Sequence, residues 1–152
     1  MNKNRQLDSY DLSILQILCN DGRLPVTAIA ESVGLSKTPC QRRIQRLQAE
    51  GFIKGYKAIL DHQKLGRDHI AFAEVTLSDT REHALQKFNE AVATILEIEE
   101  CHMIAGSFDY LLKVRTADIN AYRKVLGESI SSLPHVASSS TYVAMQSIKE
   151  AG

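Results

Sequence analysis

The sequence predicts an α+β protein in which a helical N-terminal domain precedes a domain of strands and helices. Hydrophobic residues recur at helical spacing up to Leu47, and their period changes to two after Gly51. Charge divides at a similar place: residues 1–62 hold nine Lys and Arg against six Asp and Glu, whereas residues 63–152 hold nine against twelve. The zero net charge of the 152-residue chain therefore conceals a basic part and an acidic part. We expect two domains, residues 1–61 and residues 62–152.

The first two elements are predicted to be short helices separated by a tight turn. Asp8 supplies an N-cap for the first helix, and residues 20–22 (Asn-Asp-Gly) end it. The apolar positions of this helix are Leu12, Leu15 and Leu18. Pro25 suits the first turn of the second helix, because N–H groups there have no helical partner, and Gly34 is expected to end it.

A third helix combines an apolar face with a basic one. Thr38 and Pro39 predict its start, as an N-cap followed by a first-position proline, and Gly51 predicts its end. The apolar face carries Cys40, Ile44 and Leu47, and the other face carries Gln41, Arg42, Arg43, Gln45 and Arg46. The segment from Lys37 to Lys57 contains six basic residues and a single acid.

The second and third helices have the pattern of a helix-turn-helix. Ala30 is small enough for the two helices to cross closely, Gly34 can adopt the positive φ that a tight turn needs, and Cys40 can pack against the preceding helix. An ordinary helical hairpin has the same pattern. The basic face favours DNA binding, because Arg reads guanine edges and Gln adenine edges in the major groove. The DNA-binding residues that we predict are Ser36, Lys37, Thr38, Pro39, Gln41, Arg42, Arg43 and Arg46, with Lys54 and Lys57 as a wing on a linker strand over about 52–60.

The second domain reads as β-α-β-β-α-β after a polar connection over 61–68. The predicted strands are 70–77, 99–105, 110–115 and 136–145, and the predicted helices are 85–96 and 119–133. This order is the split βαβ arrangement of ferredoxin-like domains, with four antiparallel strands and both helices on one face.

A turn at residues 106–109 (Gly-Ser-Phe-Asp) joins the two middle strands. A glycine and an aspartate at these positions are ordinary turn chemistry. Backbone N–H groups beside a carboxylate also suit a small zwitterion, whose carboxylate would accept from the N–H groups while Asp109 holds its ammonium. Both interpretations of this turn remain open on the residues alone.

Other functional classes find no support in the sequence. The longest apolar runs are four residues, so we expect no membrane span, and no signal peptide precedes the first helix, so we expect a cytoplasmic protein. The three cysteines and five histidines lack metal-ligand spacing, so we expect no metal site and no cofactor. Because no nucleophile or phosphate-binding motif occurs, we expect no catalytic residues and no enzymatic activity.

Several short motifs recur along the chain in a combination more specific than any one of them. They are Val33-Gly-Leu-Ser36 leading into Thr38-Pro-Cys40, Glu50-Gly-Phe-Ile53-Lys-Gly-Tyr56, Glu100-Cys-His102, Gly106-Ser-Phe-Asp-Tyr-Leu-Leu-Lys113, Ala121-Tyr-Arg-Lys124 and Thr141-Tyr-Val143. With these motifs the chain resembles the leucine-responsive regulatory protein/AsnC (Lrp/AsnC) family of transcription regulators, and its leucine-responsive branch in particular. The resemblance extends from Leu7 to about Lys149.

The resemblance implies a winged helix-turn-helix followed by a RAM-type βαββαβ domain that dimerises and binds an amino acid between subunits. It implies that dimers assemble further, into octamers, and that the effector is leucine or another amino acid. The effector-binding residues that it implies are Gly106, Ser107, Phe108, Asp109 and Tyr110 of the turn, with Thr141, Tyr142, Val143 and Ala144 of the last strand.

The function expected from residues and resemblance together is sequence-specific DNA binding, modulated by a small amino acid, at genes of amino-acid metabolism. Two other classes of protein stay open. One is an architectural DNA-compacting protein without a physiological ligand, and the other is an amino-acid-processing enzyme, which the missing catalytic grouping disfavours.

Overall fold

The computed structural model describes residues 7–150 and divides the chain into two compact units. The first unit ends at Ile59 and consists of three helices, whereas the second begins at Leu60 and contains a four-stranded sheet. Within the described residues, no helix has the length and apolar character that crossing a bilayer requires.

The three helices of the first unit are α1 (Ser9–Asn20), α2 (Val26–Val33) and α3 (Lys37–Ala49). Asp8 caps α1 as predicted. Its carboxylate accepts from the Asp11 N–H at 2.9 Å, and the Asp11 carboxylate accepts from the Asp8 N–H at 3.2 Å, which is a reciprocal capping box. The core between the three helices consists of Ile14, Ile29, Ala30, Cys40, Ile44 and Leu47.

The helix ends differ from the prediction at α3. Gly34 ends α2 as predicted, with a left-handed φ of +73° that glycine adopts without strain. The N-cap of α3 is Ser36 and not Thr38, so the helix begins two residues earlier than predicted. Pro39 is tolerated at the third position because the first-turn N–H groups have no helical acceptor.

The predicted linker strand over 52–60 is wrong for the single chain. Residues 51–60 form a turn followed by irregular backbone, and no strand among residues 7–150 pairs with them. The alternation of apolar residues is present, but a strand also needs a neighbour for its N–H and C=O groups. Lys54 and Lys57 therefore lie on irregular backbone.

The sheet of the second unit has the predicted topology. Its strands are β1 (His69–Leu77), β2 (Ile98–Met103), β3 (Tyr110–Thr116) and β4 (Val136–Val143), in the order β2-β3-β1-β4 with every neighbouring pair antiparallel. The helices are α4 (Glu82–Val92) and α5 (Ile119–Val125), and α5 continues as a π-helical turn over Leu126–Ile130. This is the βαββαβ arrangement of an α+β domain.

The helices cover one face of the sheet. Ala71, Ala73 and Val75 of β1 are buried in one core with Phe88 of α4 and Tyr122 of α5. Phe72, Glu74 and Thr76 of β1 lie on the other face, where they are partly exposed. The helix predicted to reach Leu96 instead ends at Val92, and Leu96 is 90% exposed.

Candidate nucleic-acid interface and effector site

The outward face of α3 carries most of the predicted DNA-binding residues. Six of them are exposed, at the N-cap and in the first two turns of the helix: Ser36, Lys37, Thr38, Pro39, Gln41 and Arg42. The core contacts of Cys40, Ile44 and Leu47 fix the opposite face, so the helix must present these side chains to solvent. The structure therefore brings six predicted residues together on one surface.

Arg43 and Arg46 point instead toward α1. Nη1 of Arg43 lies 2.8 Å from Oδ1 of Asp11 and 2.7 Å from Oδ2 of Asp8, and Nη2 of Arg46 lies 2.5 Å from Oδ2 of Asp11. The guanidinium of Arg43 also lies 5.3 Å from the centroid of the Tyr10 ring. Both arginines are half-buried, so the structure separates them from the exposed set.

The charged side chains in this cluster shift one another's pKa values. Burial raises the pKa of Asp11, but hydrogen bonds from Arg43 and the Asp8 N–H outweigh it and hold the pKa below its ordinary value of 3.8. Hydrogen bonds to Asp8 and Asp11 raise the pKa of Arg43 further above its already high value. Asp11 therefore stays ionised although its side chain is only 1% exposed. The sequence identified Asp8 as a helix-start residue, but it did not show that Asp8 and Asp11 also pair with arginines of α3.

The turn of the predicted effector site is closed by Asp109. Its backbone N–H donates to the Val75 carbonyl at 3.0 Å, its carbonyl accepts from the Ile104 N–H at 2.8 Å, and its Oδ2 accepts from the Leu77 N–H at 2.7 Å. The carboxylate thus holds the turn against β1, and no donor among residues 7–150 occupies its Oδ1. Gly106 and Ser107 are exposed on the same turn, with Phe108 half-buried.

Tyr110 lies in the core rather than on the turn surface. Its ring packs against Phe88 with centroids 4.3 Å apart, and its hydroxyl donates to Oδ1 of Asn89 at 2.8 Å. Burial raises the pKa of the phenol. Tyr110 also lines a cavity of about 560 Å³ between α4 and β2, together with Val92, Ile98, Cys101 and Met103. No other predicted effector residue lines this cavity.

The predicted residues of the last strand lie on an edge of the sheet. Thr141 shares a hydrogen bond of 2.7 Å with the buried hydroxyl of Tyr122, and the Tyr142 hydroxyl donates to Glu74 at 3.4 Å. Val143 is 47% exposed, and the Ala144 N–H donates to the Ile70 carbonyl at 2.9 Å. Because β4 is an outer strand, its second backbone edge has no neighbour within the described chain.

A single chain does not bring the two parts of the predicted effector site together. The register aligns Tyr110 with Val75 and Val75 with Ser139, so β1 separates the turn from β4 by about 10 Å. The segment 141–144 begins two residues beyond Ser139, which adds about 7 Å along the strand. Residues 7–150 contain no group of three His, Cys, Asp or Glu side chains that could hold a metal ion.

Both units match known protein domains. Residues 7–54 match a winged helix-turn-helix DNA-binding domain, and residues 70–152 match the Lrp/AsnC ligand binding domain. Over 150 residues the chain is 64% identical to a proline dehydrogenase transcriptional activator of Rhizobium radiobacter, covering 99% of this chain and 96% of that protein. It is 44% identical to the leucine-responsive regulatory protein of Escherichia coli K12, covering 96% and 89%.

Solved structures agree with this assignment. An AsnC family transcriptional regulator from Agrobacterium tumefaciens superposes with a TM-score of 0.89 at 35% identity, and a regulator from Neisseria meningitidis in complex with L-methionine superposes with 0.88 at 30%. Each comparison covers 95% of this chain and 94% of the other. The chain belongs to the Lrp/AsnC family of transcription regulators, with a helix-turn-helix DNA-binding domain and a ligand-binding domain.

Proposed function

We propose that α3 is a recognition helix that reads a specific operator in the major groove. The observation that carries this proposal is the cluster of exposed donors and acceptors on α3, where Lys37, Gln41 and Arg42 stand opposite the apolar face. Arg42 would contact guanine or phosphate, and Gln41 would contact adenine. Ser36, Thr38 and Pro39 complete this surface, and Lys54 and Lys57 would contact flanking phosphates.

A homodimer would present two such helices to half-sites about 34 Å apart, which is one turn of DNA. The second unit, residues 62–152 in our domain proposal, would carry oligomerisation and effector binding. The unpaired edge of β4 and the irregular segment 51–60 both leave backbone groups for a neighbouring subunit. Further pairing of dimers into octamers would place several recognition helices on one DNA and strengthen binding through multivalency.

The effector in this proposal is an apolar amino acid held between subunits. Relatives named for their response to leucine and a relative solved with L-methionine support this class. Because the turn 106–110 and the segment 141–144 are apart in one chain, a site containing both would take one part from each subunit. Asp109 Oδ1 would accept from the ammonium group, and backbone N–H groups of the turn would donate to the carboxylate.

The target genes in this proposal belong to amino-acid breakdown. The 64% identity to a proline dehydrogenase transcriptional activator extends over nearly the whole chain. A proline dehydrogenase gene is therefore the first candidate, with this chain acting as its activator.

The DNA-binding proposal is tested by the salt dependence of operator affinity. A duplex is first enriched from a random-sequence library by the wild-type full chain, and its affinity is then measured by fluorescence anisotropy across salt concentrations. For Arg42→Ala we expect weaker binding and, if Arg42 contacts phosphate, a log–log salt slope smaller by about 0.9 per bound helix. Lys87→Ala removes the same charge from an exposed position on α4 and should leave both quantities unchanged. Wild-type affinity in Arg42→Ala would contradict the assignment.

The effector proposal is tested by a thermal-shift screen of the twenty amino acids. At about 100 times its Kd, the effector should raise Tm by about 5 to 10 °C. Asp109→Asn keeps an acceptor for the Leu77 N–H but loses the charge, so it should keep the unliganded Tm and lose the shift. An architectural DNA-compacting protein would instead show no shift with any amino acid and equal affinity for enriched and unselected duplexes.

A further inference from the structure

The contact between α1 and α3 contains more charged side chains than the stability of the folded state requires. Asp11 has a side chain that is 1% exposed, and it receives both Arg43 and Arg46 in addition to the Asp8 N–H. Exposed ion pairs contribute little to folding, and a buried pair often does no better than apolar residues of the same volume. A buried carboxylate with two guanidinium partners is therefore better explained by the geometry that it fixes.

The two arginines lie three residues apart on α3 and reach a single carboxylate in the first turn of α1. Two contacts one helical turn apart fix both the rotation of α3 about its axis and its position along that axis. The rotation decides where Gln41 and Arg42 point, since neighbouring residues of a helix are about 100° apart. Tyr10 beneath Arg43 and Asp8 beside it restrict the first of the two anchors further.

We propose that Asp11 is a positioning residue for the recognition helix, and that Arg43 and Arg46 anchor α3 to α1 instead of binding DNA. The inference rests on the proposed function of α3 as a recognition helix. It divides the basic residues of α3 into an outward set that contacts DNA and an inward set, bound to Asp11, that orients the outward set.

The consequence for DNA binding is specific. Loss of the Asp11 carboxylate charge makes the net charge of the DNA-binding unit more positive by one, so electrostatic attraction to any duplex is maintained or increased. Base contacts depend on orientation, so affinity for the preferred sequence decreases. Affinity for the preferred sequence therefore falls toward that for unselected DNA, whereas simple destabilisation of the unit would lower both affinities together.

The test compares Asp11→Asn with wild type, in the full chain, on the enriched duplex and on an unselected duplex of equal length. We expect affinity for the enriched duplex to decrease about fivefold or more, the loss that one weakened base contact produces, and affinity for the unselected duplex to stay equal or rise. Asp21→Asn is the matched control. Asp21 is exposed, and its contact with the Arg23 N–H at 2.9 Å can be kept by asparagine.

Arg43→Gln provides a second measurement that does not depend on the folding of Asp11→Asn. The inference predicts weaker binding to the enriched duplex with an unchanged salt slope. A slope smaller by about 0.9 per bound helix would identify Arg43 as a phosphate ligand and overturn the inference. Parallel losses on both duplexes in Asp11→Asn, or no loss on the enriched duplex, would overturn it as well. If wild type enriched no sequence at all, the proposed function itself would fail, and the inference with it.

Discussion

The two units of the protein each bury an ion cluster, and the clusters have opposite arrangements. In the first unit the buried group is a carboxylate, Asp11, which lies between two arginines of α3 that are 27% and 28% exposed. In the second unit the buried group is a guanidinium, Arg115, which lies between Glu99 and Glu150, 28% and 30% exposed. The chemistry is the same, with the signs exchanged.

The elements that the clusters join are held together differently. Arg115 on β3 contacts Glu99 on β2, and these strands already share a ladder of backbone hydrogen bonds. The helices α1 and α3 share no backbone ladder, so their relative orientation depends on side chains alone. Breaking the cluster of the second unit should therefore change stability, whereas breaking that of the first should change the orientation of a functional helix.

The largest effect is expected for Arg115→Ala. This substitution leaves Glu99 without its closest cation and removes the contact of Arg115 with Glu150, which lies at 2.9 Å. Because both glutamates are partly exposed to solvent, we expect the free energy of unfolding to fall by about 3 kcal/mol, at the lower end of the range for a broken buried ion pair. Hydrogen exchange should show faster exchange in β2 and β3 with an unchanged sheet register. Arg123→Ala, on the exposed side of α5, is the control. A decrease of less than about 1 kcal/mol in the free energy of unfolding of Arg115→Ala would contradict the difference between the two units.

Much of the fold was predictable because short-range sequence patterns determine it. The capping role of Asp8, the end of α2 at Gly34 and the order of strands and helices along the second unit depend on residues close in the chain or on hydrophobic period. The predicted strand over 52–60 failed because alternation shows which face is apolar but not whether a partner strand exists.

The candidate site was predictable only in part, for the same reason. A helical face places Arg42 outward from spacing alone. Arg43 and Arg46 lie at the margin of that face, and the carboxylate that captures them is 32 and 35 residues away in sequence. Spacing likewise identified Asp109 in a turn, but its hydrogen bond to the Leu77 N–H spans 32 residues and depends on the sheet register.

Lowering the pH should destabilise the second unit more than the first, with a smaller effect than Arg115→Ala. Burial raises the pKa of Glu99, but Arg115 and Lys113 outweigh it and hold the pKa below 4.5, and hydrogen bonds from Ser147 and Arg115 lower that of Glu150. A lowered carboxyl pKa gives stability that is complete above the ordinary value and is lost as pH falls through the lowered one. Because two carboxylates with lowered pKa values titrate here, we expect the second unit to lose more exchange protection than the first as the pH falls from 6 to 3. Hydrogen exchange, corrected for the intrinsic rate at each pH, measures both units in one sample, and equal losses would contradict the expectation.

The smallest effect on stability is expected for Arg46→Met, which tests whether the cluster of the first unit is chiefly a positioning device. Asp11 keeps Arg43 as a partner in this variant, and the buried Nε of Arg46, which has no hydrogen-bond partner in the described chain, is removed along with the charge. Methionine retains most of the apolar stem. These changes oppose one another, so the unfolding free energy should fall by only about 1 kcal/mol. Exchange protection of α1 and α3 gives this value, with Arg42→Met on the outward face as control. A loss as large as that in Arg115→Ala would show that both clusters serve stability equally, and the difference between the two units would disappear.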